Sequence, residues 1–396
     1  MRSVWNGRRL FIVAIAVGTV LRLVQTATSI GTIDALMWFR WVELIERVGI
    51  LQSYRYSQLM NHPPFALLLA RTVNAVGVAC GLEFNDSLRI VQAAADVGTA
   101  LLLVGIARRL GAKNEYFAAA MFFLSPATIF ISAFHCNNDP LMTMLLAAAV
   151  LMVLDERPLP AGALLALAVS IKIVPLLVGP LLLFAFRGTR ARVLFLAAAS
   201  VTSAILFLPG FVVNGPQFLK QIFGYTGMTT GWGWRLVAVY VAKWTGSHGL
   251  SRALTYLGFV MIAALVVLWI AEVRRGEIRE RLPRLICISY LLVLFFAPGF
   301  GVQYMFWFLP WLAFALPKRA ALAMHGLISA FVFTAYTAWS DGWPWWFADG
   351  SSTPLATQIT AQSGLVAWVA IGAAAFYALW RLRGRISLGA TVRAEG

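Results

Sequence analysis

Charge is scarce in this chain, and acidic charge scarcer still: 12% of the 396 residues are charged, with 16 Asp and Glu against 32 Lys and Arg. Soluble domains carry roughly 25% charged residues, so too few are present to clothe a water-facing surface. No stretch is polar enough to be a separate soluble domain, and no linker, low-complexity tract or short-period repeat interrupts the chain. Cysteine is nearly absent. Cys80, Cys136 and Cys287 stand at unrelated spacings, which excludes a disulfide framework and a cysteine metal motif. What fills the gap is apolar, at 60% of residues. Runs long enough to cross a bilayer recur along the whole length. The expected fold is an all-α polytopic membrane protein, a single integral membrane domain over residues 1–396.

The net charge of +16 invites a nucleic-acid partner, but its placement argues against one. Lys and Arg cluster at the ends of apolar runs: Arg8 and Arg9; Arg108, Arg109 and Lys113; Arg187, Arg190 and Arg192; Arg274 to Arg284; Lys318 and Arg319; Arg381 to Arg385. Such clusters mark cytoplasmic turns and attract anionic head groups. The first apolar run is too long for a signal peptide and contains Arg22, so it reads as a retained span. About twelve spans with both termini cytoplasmic are expected, at 10–28, 88–107, 116–132, 140–154, 159–172, 173–187, 193–209, 250–271, 285–298, 304–317, 320–339 and 364–381. Spans five and six are short, and Pro175 between them makes a re-entrant pair or broken helices the alternatives. The outer face then carries three large segments, 29–87, 210–249 and 340–363, which points to work done there.

Within the first outer segment, Trp38, Trp41, Val42, Ile45 and Gly49 fall on one helical face. Arg40, Glu43, Glu46 and Arg47 fall on the other, and i,i+3 or i,i+4 pairs can form among them. This is the pattern of an amphipathic helix lying in the membrane interface. Asp34 stands at its start, where a helix N-cap is the plain reading. A second, more apolar segment, Phe65 to Ala79, follows a Pro pair and is expected to lie flat as well.

The stretch GTIDALMWFRWVEL (Gly31 to Leu44) resembles the first outer loop of GT-C superfamily glycosyltransferases, closest to lumenal glucosyltransferases that use a dolichyl-phosphate sugar. Asp34, Trp41 and Glu43 keep that family's spacing, with Arg40 shifted by one. NHPPF (Asn61 to Phe65) is similar to its Tyr/His-Pro-Pro-Leu element. LRIVQAAAD (Leu88 to Asp96), HCNND (His135 to Asp139) and SIKIVP (Ser170 to Pro175) resemble three further elements in the same order. The likeness covers about the first half of the chain. Beyond it, FGYTGMTTGWGWR (Phe223 to Arg235) and FGVQYMFW (Phe300 to Trp307) replace the family's Arg-rich outer helix and His-Glu-Lys element. The Gln-Tyr form looks more like bacterial polyprenyl-phosphate-mannose-dependent transferases.

The resemblance implies a GT-C-like bundle with interfacial helices in the first outer loop. It implies a sugar donor on a polyprenyl phosphate, with mannose expected, and a lipid or glycan acceptor. Attack on the anomeric carbon would proceed with inversion at the outer face of a bacterial inner membrane. Joining a sugar to a hydroxyl needs a base for the proton and a leaving group that can bear charge. Asp34 is the base candidate and Asp139 its rival, although Asp139 also sits where a helix cap belongs. Lys172 leads as phosphate ligand, with snorkelling to the interface as the alternative. Arg235, after Trp232 and Trp234, is a second cation or an interfacial anchor. His135 donates to phosphate or sugar, or is a satisfied buried histidine, and Asn138 neighbours it. Glu43 orients the acceptor or pairs with Arg40 and Arg47. Gln303 and Tyr304 bind sugar hydroxyls or anchor the interface. His62, before Pro63, reads as a turn-shaping residue. Tryptophans of the outer turn Ala338 to Gly350 stack on sugar or form an aromatic belt, and Asp341 and Asp349 read as solvated turn residues. Arg22 and Asp96, both inside spans, are expected to pair. No cofactor is required and no metal motif is present, with a divalent ion left open. A transporter or flippase of lipid-linked sugars is the competing reading, and it predicts charges lining a path at all depths.

Overall fold

The computed structural model describes residues 2–112, 114–224, 232–246, 249–297, 299–340, 342–351 and 353–383. Lys113, Asp341, Arg385 and the middle of the segment 223–235 lie outside the described residues. The described chain is helical almost throughout, with one pair of two-residue strands. Helix α1 (Arg2–Ala27) is the first span. Strand β1 (Gly31–Thr32) leads into α2 (Ile33–Val48), α3 (Ile50–Tyr56) and α4 (Pro64–Ala79), which fill the segment between the first and second long helices. Then come α5 (Phe84–Arg109), α6 (Phe117–Phe123), α7 (Pro126–Phe130), α8 (Asp139–Leu154) and α9 (Pro158–Ile171). The chain continues through α10 (Gly179–Ala185), α11 (Thr189–Asn214), α12 (Pro216–Phe223), α13 (Trp234–Thr245), α14 (Leu250–Arg275) and α15 (Ile278–Phe296). It closes with α16 (Leu312–Ala315), α17 (Lys318–Trp339), strand β2 (Phe347–Ala348) and α18 (Pro354–Arg383).

Each apolar stretch marked in the sequence is helical, and among the described residues fewer than twelve helices pass as spans by length and composition. Five helices of the described residues are long and apolar enough, and the bent pair of Phe117–Phe123 and Pro126–His135 makes up to six. The rest are short. Helix α8 has 16 residues, about 24 Å of length against a hydrocarbon core of about 30 Å. The stretch read as span 304–317 departs furthest: it opens with 3-10 turns, Val302–Trp307 and Leu309–Trp311, before the single turn of α16. Spans five and six are α9, then an extended Lys172, then a 3-10 turn (Val174–Val178) and α10, so the break expected near Pro175 is present.

The amphipathic reading of the outer segment matches α2, whose buried face is Ala35, Trp38, Trp41, Val42 and Ile45. Helices α8, α9 and α11 pack side by side behind the site. Gly162 lets α9 and α11 touch backbone to backbone, since a Cβ there would lie 2.2 Å from the Phe195 carbonyl oxygen.

The bend between α6 and α7 (51°) has a local cause. Pro126 has no N–H for the Phe122 carbonyl four residues earlier. Thr128 Oγ1 donates to that carbonyl instead, at 2.6 Å. The next carbonyl, of Phe123, accepts from Arg22 Nη1 at 2.9 Å. Arg22 also pairs through Nε with Asp96 at 2.7 Å, and both side chains are fully buried. Its remaining bonds reach Ser132, Gly18 and Thr128. One arginine thus joins α1, α5 and the broken span. Removing one partner of a buried pair strands the other charge, at a cost of about 3–5 kcal/mol. Asp96→Ala should therefore lower the thermal unfolding temperature in detergent sharply. Arg22→Met with Asp96→Leu should lose less than Asp96→Ala alone.

Candidate active site

The start of α2 is fixed from two sides. Gly31 has φ +111, and a Cβ there would lie 2.7 Å from the Phe134 carbonyl oxygen, so no larger residue fits unchanged. Its strand pairs in parallel with β2, Gly31 opposite Phe347 and Thr32 opposite Ala348. Thr32, not Asp34, caps the helix: its Oγ1 accepts from the Asp34 N–H at 3.3 Å and donates to the His135 carbonyl at 2.8 Å. Threonine two residues upstream does the capping, so the Asp34 carboxylate is released from that task.

It meets His135 and Asn137 instead. His135 ends a π-helical turn (Ile131–His135), and Cys136 behind it is left-handed, with φ 63° and ψ 56°. A non-glycine residue adopts that region at a cost of roughly 1–2 kcal/mol. The reversal turns two residues that flank it onto one atom. His135 Nε2 lies 3.0 Å and Asn137 Nδ2 2.7 Å from Asp34 Oδ2. Among the described residues no hydrogen bond reaches Oδ1. Burial raises the Asp34 carboxyl, but His135, through its charge when protonated and through its hydrogen bond, the ammonium of Lys172 and the amide of Asn137 outweigh it. Their net effect holds the group below its ordinary 3.8.

Lys172 stands at the C-terminal end of α9 in an extended conformation. Its Nζ donates to both oxygens of Asp139, each at 2.9 Å. Asp139 is wholly buried and also accepts from Trp307 Nε1 at 2.6 Å. The ammonium sits 4.8 Å from the Tyr304 ring centre and 5.5 Å from that of Trp307. Those rings stack at 4.3 Å, as a 3-10 turn dictates for residues three apart. An intramembrane lysine is thereby paired rather than snorkelled. With both oxygens engaged, Asp139 is a poor proton acceptor, and it does not cap α8 through its side chain.

Asp34, Asn137, Lys172, Gln303, Tyr304 and Trp307 share one cavity of about 490 Å³. Trp38, Trp41, Asn61 and His62 also line it, and Ile222, Val293, Leu294 and Ala297 add apolar surface. His62 is more than a turn residue. It packs 4.6 Å from Trp38 and 5.7 Å from Trp41, and its Nδ1 lies 3.2 Å from the Ile171 carbonyl. Burial, with Lys172 nearby, pushes it down to about 4, so it is neutral at physiological pH. Trp41 Nε1 and Asn61 Oδ1 are buried without a partner among the described residues, which leaves one donor and one acceptor for hydroxyls of a bound molecule.

Other expected residues lie elsewhere. Asn138 is buried and accepts from Gln92 Nε2 at 3.1 Å. Glu43 is exposed on the far face of α2, and Arg235 is exposed in the first turn of α13. None of these three lines the cavity. In the Trp-rich turn, Trp345 is 1% exposed within an aromatic cluster, whereas Trp343 and Trp346 are exposed. Asp349 is exposed and accepts from the Ser351 N–H. Sequence reasoning missed Asn137, Trp307, His62 and Tyr336. Only Trp307 had a usable signal, its three-residue offset from Tyr304.

A helical membrane protein with an acid, a paired lysine and an aromatic wall around one cavity has the make-up of a GT-C-type glycosyltransferase. The chain matches the family model of glycosyltransferase family 87 over residues 60–298, more than half its length, and belongs to that family. No curated protein matches it.

The ionised form of Asp34 is the form able to take a proton. Its depressed value means that this form persists at neutral pH and is lost only as pH falls through that value. His135→Leu removes a lowering influence, so the acidic limb of the rate profile should move to higher pH. An unmoved limb in a pH–rate series would show that His135 does not tune the acid.

Proposed function

We propose that this glycosyltransferase moves a hexose, mannose as the expected sugar, from a polyprenyl-phosphate carrier to a hydroxyl of a lipid or glycan. The observation that carries the reading is the sharing of one cavity by Asp34 and Lys172. Asp34 Oδ1 accepts the proton of the acceptor hydroxyl. The hydroxyl oxygen forms its new bond to the anomeric carbon, with inversion. The bond from that carbon to the phosphate oxygen breaks, and the lipid phosphate leaves with the electron pair. Lys172 has three donors, and two are held by Asp139. The third is available to the departing phosphate. Arg235 is not needed for this step. The step as written uses side chains alone, with Lys172 as the donor to the phosphate.

The outer-face assignment draws support from the charges at the other end of the bundle. Asp139 begins α8 beside the cavity, whereas Asp155 behind its far end pairs with Arg109 at the end of α5. Arg108 pairs with Glu115 there, and Arg279 with Glu156. A basic, ion-paired rim opposite the site fits a cytoplasmic location for that rim. The apolar side of the cavity suits a donor that keeps its hydrocarbon in the membrane.

The test is transfer in detergent from radiolabelled polyprenyl-phosphate mannose to a native lipid extract. Wild-type protein should form product, which a transporter would not. Asp34→Asn should lower turnover by about 10²–10⁴ with an unchanged unfolding temperature. Normal turnover in that variant would remove the base and the mechanism with it.

A further inference from the structure

We propose that Tyr336 is a positioning residue that locks His135 in its neutral Nε2–H tautomer and so directs the free oxygen of Asp34 into the cavity. The catalytic consequence rests on Asp34 being the base; the lock itself does not. Tyr336 projects from α17 and is fully buried. Its Oη lies 2.8 Å from His135 Nδ1. The ring is held by Phe134 at 5.2 Å, Trp345 at 5.4 Å and Trp339 at 6.2 Å between ring centres. The hydroxyl is therefore fixed by packing, independently of the bond that it makes.

Three protonation patterns are possible along Tyr336, His135 and Asp34. In a doubly protonated ring, Nδ1–H donates to Oη, and the phenolic proton is left buried with no acceptor among the described residues. In the Nδ1–H tautomer the same proton is stranded, and the Nε2 lone pair faces the lone pairs of Asp34 Oδ2 at 3.0 Å. In the Nε2–H tautomer, Oη donates to Nδ1 and Nε2–H donates to Oδ2. Only this last pattern satisfies every group, and a stranded buried donor is costly. The ring nitrogen that carries the proton is set by what the other one bonds.

Asp34 depends on the outcome. With Nε2–H and Asn137 Nδ2 both on Oδ2, the carboxylate cannot rotate without losing two bonds at once. Oδ1 is thereby kept toward the acceptor. Nothing in the tyrosine's sequence position marks it, since it lies 201 residues from His135.

The experiment uses full-length protein in detergent, labelled with ¹⁵N-histidine. Four histidines give four pairs of ring nitrogen signals, and the pair lost in His135→Leu is that of His135. At neutral pH the wild-type His135 signal should be that of the Nε2–H tautomer. Tyr336→Phe keeps the ring and its contacts but should mix the tautomers and slow mannosyl transfer about ten-fold. Added to His135→Leu, the same change should cost less than about two-fold, because the two act through one bond. A wild-type signal from the Nδ1–H or doubly protonated ring overturns the lock. So does a Tyr336→Phe loss that multiplies in full on His135→Leu. The tautomer signal needs no turnover, so it separates this inference from the identity of the base, which Asp34→Asn tests alongside.

Discussion

Two hydrogen bonds converge on Oδ2 of Asp34, and most of the surrounding architecture serves to keep them there. Holding a carboxylate in a half-buried site is unfavourable unless donors are already in place. Here the donors come from His135 and Asn137, on either side of a left-handed Cys136. That reversal is itself fixed by the Thr32 hydroxyl on the His135 carbonyl and by the close approach of Gly31 to Phe134. The strain at Cys136 and the orientation of the acid are two sides of one constraint. Because both donors take the same oxygen, the carboxylate is asymmetric: one atom is anchored by two bonds, and among the described residues no hydrogen bond reaches the other.

The same logic recurs wherever charge enters the interior. Arg22 and Asp96 pair within the bundle, and Asp139 and Lys172 pair at the cavity. The first pair has an Asp96 oxygen with no further partner, yet Arg22 spreads its donors over four other groups and secures a broken helix. The second pair is framed by the Tyr304 and Trp307 rings and keeps one lysine proton uncommitted. One pair works as a joint, and the other places its lysine at the wall of the cavity. Burial alone does not distinguish them; only the cavity does.

Much of this was legible in the sequence because it follows from periodicity. The buried face of α2 is set by 3.6-residue spacing, and Trp38, Trp41, Val42 and Ile45 obey it. Paired charges inside spans were expected on energetic grounds, and Arg22 with Asp96 met that expectation. Where two residues compete for one role, the sequence could not choose: Thr32 and Asp34 are both capping types, and the outcome depends on His135, a hundred residues away. Helix length is what composition does not report. Apolar composition reports burial, and a short helix walled in by its neighbours is as apolar as one facing lipid. Asn137 and Tyr336 were invisible because a left-handed turn at a cysteine, and a contact between α17 and a π-helical turn, leave no local pattern.

The short bridge between Gly31–Thr32 and Phe347–Ala348 carries a last consequence. It joins the segment bearing the acid to the loop that follows α17, and both lie outside the span 60–298 shared with the family. A fragment trimmed to that shared span would retain Lys172 and Asp139 but neither Asp34 nor the stacked rings that frame the ammonium. The chain's two flanks therefore act as a clasp around its middle. The clasped side cannot part without dismantling the acid's own mooring, whereas Ile222 and Leu294 line the cavity without a share in that bridge.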